Sequence, residues 1–384
     1  MPRLLFLFSL INLVIGSSAF VLASIVEPLA RDLQVSVPAA GQAMTAYAVG
    51  TAVLAPMLLL TTGAWPRKRV LLLALTLFTL GNALSALSDH LALLLAARLL
   101  MGAGAVFVAV AAGIAVALVA PARRGQALSL VFLGMSLSYV VGVPIGSWLG
   151  LKYGWHAPVW LACAMSALAL LAVALLVPRD IKAPGASFAG LGALLKRAEV
   201  VASLCVTLLY FGAIFSVFAY IGPVLRALSP LTDTQLSLTL MMFGVSGVCG
   251  TLLGGWATDR FGAQRTLSFQ LGLFFTTMSL VPLTQGHYLA MLAAFMCWGV
   301  AGFGMMAPQQ ARLVAIDLAR SPVLLSLNSS MMYFGMALGS ALGGLAVSSS
   351  GFAHLAWVGA PLALAALALL LWTGPRIAAR RATA

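Results

Sequence analysis

Twelve apolar runs, each about twenty residues or more and none broken by the polar alternation of a half-buried strand, divide this chain of 384 residues. A helix rising about 1.5 Å per residue crosses the hydrocarbon core in roughly twenty residues, whereas a barrel strand alternates over about ten, so the runs exclude a β-barrel. With 62% of the residues hydrophobic and 8% charged, there is too little polar surface for a water-soluble globule. The fold class expected is an all-α integral membrane protein with twelve transmembrane helices.

The expected spans are Leu4 to Val26, Ala40 to Thr62, Val70 to Ser88, Leu91 to Val119, Ala127 to Gly150 and Ala157 to Val177, then Val200 to Val224, Gln235 to Ala257, Thr266 to Leu283, His287 to Arg312, Val323 to Ser348 and Ala353 to Thr373. Met1-Pro2-Arg3 and the run behind it resemble a signal peptide, but the run is too long for the usual apolar segment and reads as an uncleaved first span. The expected organisation is an N-terminal six-helix bundle over 1–177, a polar linker over 178–199 with a short surface helix near Leu191 to Arg197, and a C-terminal six-helix bundle over 200–384. Arg31, Lys152 and Arg226 are the basic residues that flank one side of the spans; Arg98 lies inside a span, and the rest of the 21 flank the other side. That asymmetry places both termini in the cytoplasm and assigns the net charge of +13 to membrane orientation rather than to nucleic acid.

The two halves repeat. A shift of 196 lays Tyr47 on Phe243 and Arg69 on Arg265, and a shift of 197 lays Gly102 on Gly299, Gly142 on Gly339, Gly146 on Gly343, Gly154 on Gly351 and Trp160 on Trp357. A repeated six-span unit keeps its orientation, so the halves are expected to be related by an axis along the membrane normal. One residue stands out against that repeat. Arg98 carries a permanent charge inside an apolar run, at a cost of at least about 2.5 kcal/mol near the bilayer centre, and its counterpart is Phe295.

The loop Gly254-Gly255-Trp256-Ala257-Thr258-Asp259-Arg260-Phe261-Gly262-Ala263-Gln264-Arg265 resembles the G-x-x-x-D-R-x-G-x-x-R loop of the major facilitator superfamily. The resemblance implies the major facilitator fold, two six-helix pseudo-repeats that rock to give alternating access. It also implies a gating loop built from Asp259, Arg260 and Arg265, with Asp259 capping a helix start or pairing with basic residues. The matching first-half stretch, Thr61-Thr62-Gly63-Ala64-Trp65-Pro66-Arg67-Lys68-Arg69, has Gly63 where the second half has Asp259. Arg98-x-x-x-Gly102-x-Gly104 is similar to the fourth-span motif of proton-coupled members. Val35 to Gly41 and Gly142-Val143-Pro144-Ile145-Gly146 resemble the twelve-span drug:proton antiporter group of bacteria, including its arabinose and chloramphenicol efflux-like branch, although Val143 intervenes between Gly142 and Pro144. That resemblance implies the cytoplasmic (inner) membrane of a bacterium.

The candidates for proton coupling are Arg98 and Glu27, since every other acid falls in a loop or at an interface. Each has a plainer reading: Arg98 bonding backbone carbonyls of a neighbouring span, and Glu27 capping a helix end at the outer interface. Candidates for a substrate cavity, on spans expected by resemblance to line it, are Tyr47, Met135, Tyr139, Tyr210, Phe211, Phe215, Met242, Gln309, Asn328 and Tyr333. Phe211, Phe215 and Phe218 share helical spacing and form either a ligand face or ordinary packing. The cysteines Cys163, Cys205, Cys249 and Cys297 have no metal-ligand spacing and read as small buried hydrophobes, and the four histidines read as solvated residues at outer span ends.

A G-x-x-x-x-G-K-[ST] loop is absent from the sequence, as is a metal cluster or paired carboxylate, so neither an enzyme nor a cofactor is expected. The function expected is secondary active efflux of small amphipathic or drug-like molecules by proton antiport and alternating access, by a monomer whose partners are its substrate, protons and the lipid bilayer. The alternatives are export of a polar metabolite such as a sugar or nucleoside and, from another class, a membrane sensor or scaffold that moves nothing.

Overall fold

The computed structural model describes residues 2–120, 123–179, 181, 191–317 and 320–382. The middle of the expected linker, residues 180 and 182–190, lies outside the described residues. Among the described residues the fold is all-α, and twelve helices are long and apolar enough to cross a membrane: Arg3–Ser24, Val37–Thr61, Arg67–Ala86, Leu91–Ala117, Gln126–Tyr153, His156–Leu176, Ala198–Phe218, Asp233–Phe261, Ala263–Thr284, Tyr288–Val314, Val323–Ser350 and Phe352–Pro375. These are spans 1 to 12 below. Their outward faces keep large apolar side chains in the open, Leu289 at 76% and Leu345 at 75% exposure, as lipid contact requires.

The chain folds as two compact units, Met1–Ala186 with Asp233–Met241, and Ser187–Thr232 with Met242–Ala384. In the first, span 1 packs on spans 5 and 6, and span 3 on spans 4 and 6. In the second, span 7 packs on spans 11 and 12, and span 9 on spans 10 and 12. The internal repeat in the sequence is therefore a repeat in packing. Its glycines do matching work. A Cβ added to Gly102 lands 2.5 Å from the Tyr47 carbonyl oxygen, and one added to Gly299 lands 3.1 Å from that of Phe243. Gly154 and Gly351 end spans 5 and 11 at φ 90° and 69°, a left-handed turn that a side chain would strain.

The units differ where proline enters. Spans 2 and 5 each contain a π turn, Gly50–Leu54 and Ser138–Gly142, placed just before Pro56 and Pro144. A proline ring lacks the N–H and collides with the carbonyl four residues back, and the wider turn relieves both. The second-half counterparts are Leu253 and Ala341, and the helices there run unbroken over Asp233–Phe261 and Ser321–Ser350. The Ser36-Val37-Pro38 stretch is a helix start: Ser36 Oγ accepts from the Ala39 N–H at 3.2 Å, and Pro38 sits where an N–H has no intrahelical partner.

Candidate functional site

In the first unit the site is the junction of spans 1, 2 and 4 around Arg98, which is 2% exposed. Nη1 donates to the Ser18 carbonyl at 3.1 Å, Nη2 to the Ala19 carbonyl at 2.7 Å, and Nε to the Ala43 carbonyl at 3.4 Å. The sulfurs of Met101 and Met44 lie at 3.5 and 3.8 Å, and the guanidinium carbon stands 5.4 Å from the centre of the Tyr47 ring. A helical carbonyl keeps a second lone pair after its intrahelical bond, so an arginine fork can join two helices without breaking either. Asn82 of span 3 continues the set, accepting from Ser18 Oγ at 2.5 Å.

Glu27 is not among the partners of Arg98. It is half-buried in the first turn of a separate short helix, Val26–Asp32, and stands eight positions beyond Ala19, about 12 Å if the helix were continuous. Backbone carbonyls hold the guanidinium, and the carboxylate sits on a separate helix that begins after a break at Ile25. Tyr47 is part of the arginine's cage. Under the repeat, the Tyr47–Arg98 pair corresponds to Phe243 and Phe295, whose rings meet edge to face at 6.3 Å, so one unit closes this seam with a cation and the other with two rings. Farther along the first unit, Tyr139 stacks on Phe20 at 5.0 Å, and Met135 is half-buried with its sulfur against Gly16.

In the second unit spans 7, 10 and 11 meet around a chain of uncharged polar groups. Gln309 Nε2 donates to the Ser203 carbonyl at 2.7 Å and to Thr207 Oγ1 at 2.9 Å, and Thr207 Oγ1 donates to Asn328 Oδ1 at 2.5 Å. Gln309 and Asn328 are 3% and 1% exposed, and Gln309 Oε1 has no partner among the described residues. Thr207 sits three and four residues before Tyr210 and Phe211, hence on one face of span 7 with them. Tyr210 donates to the Gly302 carbonyl and meets Phe211 at 4.7 Å; Phe211 stacks on Phe215 at 6.4 Å, and Phe215 meets Phe218 at 5.3 Å. Phe218 continues to Phe243, and Phe243 to Trp298 and Phe303 at 5.1 and 5.8 Å. Met242 and Tyr333 are half-buried.

The expected gating loop is placed differently. Asp259 lies in the last turn of span 8, not at a helix start; the residue that caps span 9 is Gly262, at φ 85°, which suits glycine and leaves Asp259 no capping role. Asp259, Arg260 and Arg265 are exposed, Arg260 rests over Trp256 and Phe261, and among the described residues none of the three forms an ion pair. The ion pairs on that side of the second unit are elsewhere. Arg197 meets Glu199 at 2.9 Å and Asp317 at 3.3 Å, and Arg320 meets Asp317 at 3.4 Å, so the start of span 7, with its preceding helix Leu191–Leu195, is tied to the loop between spans 10 and 11. The cysteines also depart from expectation: Cys249 and Cys297 are exposed and Cys163 and Cys205 half-buried, since an apolar thiol on a membrane helix has no need of a protein core. At other span ends, His90 bonds Asp89 at 2.5 Å and holds that carboxyl below its ordinary pKa, while Asp32 accepts from Trp155 Nε1 at 2.8 Å with His156 at 3.9 Å.

Sequence reading missed Thr207, the Arg197–Glu199–Asp317–Arg320 set and the burial of Arg312. A threonine three residues before a tyrosine in an apolar span carried the only available signal for the first.

The Major Facilitator Superfamily profile matches residues 7–321. The chain is 30% identical over 359 residues to the inner membrane transport protein YdhP of Escherichia coli (strain K12), covering 93% of this chain and 92% of that one. It is 33% identical over 273 residues to the chloramphenicol resistance protein of Streptomyces lividans, covering 69% of each. Among solved structures it is similar to a D-xylose-proton symporter, with TM-score 0.78 at 15% identity over 95% of this chain and 96% of that one, a likeness of fold. Twelve spans in two units of matching packing and a profile match across most of the chain lead to one assignment: the chain belongs to the Major Facilitator Superfamily, and its work is secondary transport of small molecules across a membrane.

Proposed function

We propose that the chain exports small amphipathic, drug-like molecules in exchange for protons, by alternating access, across the cytoplasmic membrane of a bacterium. In this reading it is a monomer of two six-helix halves joined by the linker, with both termini in the cytoplasm. The observation that carries the substrate class is one face of span 7, where Thr207, Tyr210 and Phe211 set ring surface beside the uncharged chain from Gln309 to Asn328. Rings favour an apolar body, and an uncharged donor–acceptor chain favours a polar group without a formal charge. The name of the Streptomyces relative supports export of a drug. The remaining cavity candidates, Met135, Tyr139, Met242 and Tyr333, are assigned to the same pathway.

Arg98 is the fixed element of coupling in this reading, since its charge is permanent and three carbonyls hold it. Glu27 is the group that takes up and releases the proton. Asp259, Arg260 and Arg265 form their gating contacts in another state of the cycle.

The test uses purified protein in proteoliposomes, with a ligand first found by thermal shift from a panel of drugs, sugars and nucleosides. An imposed pH gradient is expected to drive ligand movement in the wild type, and Glu27→Gln is expected to keep binding and lose the response to the gradient. Movement that ignores the gradient rejects antiport. Binding confined to sugars or nucleosides instead selects the polar-metabolite reading, and water access along span 4 that never changes with ligand selects a scaffold.

A further inference from the structure

Arg312 reads in the sequence as one more basic residue at the end of a span. In the structure it is 3% exposed, in the last turn of the helix Met306–Val314. Nη2 donates to Thr373 Oγ1 of span 12, but Nε and Nη1 have no hydrogen-bond partner among the described residues. Nor does any described acid pair with it. Arg98 supplies the internal comparison. That guanidinium is equally buried, yet each of its nitrogens meets a carbonyl. A buried charge with idle donors is costly in hydrocarbon surroundings, more so than one that is fully bonded. The repeat does not require it either, since the first-half counterpart of Arg312 is the fully buried Ala115.

The neighbourhood shares the deficit. Span 9 packs on both the 306–314 helix and span 12, and it carries Thr266 in its first turn and Gln270 one turn later. Both are buried, and Thr266 Oγ1 and Gln270 Oε1 are without partners among the described residues. The seam of spans 9, 10 and 12 therefore holds a permanent cation with two of its three nitrogens unbonded and a hydroxyl without a partner among the described residues. Arg312 lies two residues from the end of span 10, within a turn of the headgroup level.

We propose that this seam is a binding site for an oxyanion, in which Arg312 and Thr266 donate to a phosphate group supplied either free from solution or by the headgroup of an anionic lipid. The proposal does not depend on how transport is driven.

The experiment measures the melting temperature of the purified full chain in two arms. In detergent, inorganic phosphate is titrated against chloride at constant ionic strength. In nanodiscs, phosphatidylglycerol is compared with phosphatidylcholine. The wild type, Arg312→Met, Arg312→Lys and the exposed control Arg69→Gln are run side by side. A rise in melting temperature with phosphate, kept in Arg69→Gln, weakened at least tenfold in half-saturating concentration in Arg312→Lys and gone in Arg312→Met, supports a free anion. A rise only with phosphatidylglycerol, with the same dependence on Arg312, supports a lipid headgroup. No rise in either arm, or an equal rise in Arg312→Met, overturns the proposal. If Arg312→Met does not fold, an unchanged response in Arg312→Lys overturns it.

Discussion

Replacing Arg98 separates two roles that a buried arginine can have. Its two short bonds, 3.1 Å to Ser18 and 2.7 Å to Ala19, are each worth about 1.5–3 kcal/mol when the donor is charged, and the Tyr47 ring adds about 1 kcal/mol. Against this stands the burial of the charge, which costs several kcal/mol. Arg98→Met removes gain and cost together and fills similar volume, while the freed carbonyls keep their intrahelical bonds. Its net effect is expected to fall within about 2 kcal/mol of the wild type. Arg98→Lys keeps the cost and loses the fork, since one ammonium cannot span two neighbouring carbonyls and the more distant Ala43 carbonyl. It is expected to be about 2 kcal/mol less stable than Arg98→Met. Equilibrium unfolding in mixed detergent micelles measures both. A lysine variant as stable as the wild type, beside a methionine variant that does not fold, would refute the reasoning, because it would mean that the seam needs a positive charge and not a planar fork.

Thr207→Val is nearly isosteric and leaves Asn328 Oδ1 without its donor, so unfolding measurements should show a loss of about 1–3 kcal/mol, with exposed Ser329→Ala within about 0.5 kcal/mol of the wild type. Gly102→Ala places a methyl 2.5 Å from a backbone oxygen and 2.7 Å from a backbone nitrogen, and should lower stability by about 1–3 kcal/mol. Gly299→Ala meets mainly the Ser246 side chain, which can rotate, and should cost less; equal losses would contradict the packing argument. Asp259→Asn removes no ion pair among the described residues, so its melting temperature should match the wild type while the initial rate of ligand movement falls; an unchanged rate removes the loop from the transport cycle.

The twelve spans were legible because membrane crossing needs long apolar runs, and the repeat was legible in Gly102, Gly154 and their partners, since close approach and left-handed turns admit little but glycine. The Arg98 site was half legible. A buried charge announces itself, but its partners are carbonyls of Ser18, Ala19 and Ala43, and any residue supplies a carbonyl, so nothing in the sequence marks which ones will serve. Glu27 stood out because it was the one acid left unplaced, but nothing in the sequence shows that a break after Ser24 puts it on a separate short helix. Gln309 and Asn328 stood out as amides in apolar runs, whereas Thr207, which joins them, looks like any threonine on a membrane helix. Arg312 was hidden by its address, since a basic residue at the end of a span ordinarily reaches water.

The claim that movement of substrate is exchanged for protons meets its most direct test in sealed proteoliposomes of the wild type, loaded with a ligand identified by thermal shift and given a sudden pH step. Exchange predicts uphill ligand movement opposite to the proton gradient, accompanied by proton flux and abolished when the gradient is collapsed. Ligand movement that only equilibrates, with or without the gradient, contradicts it.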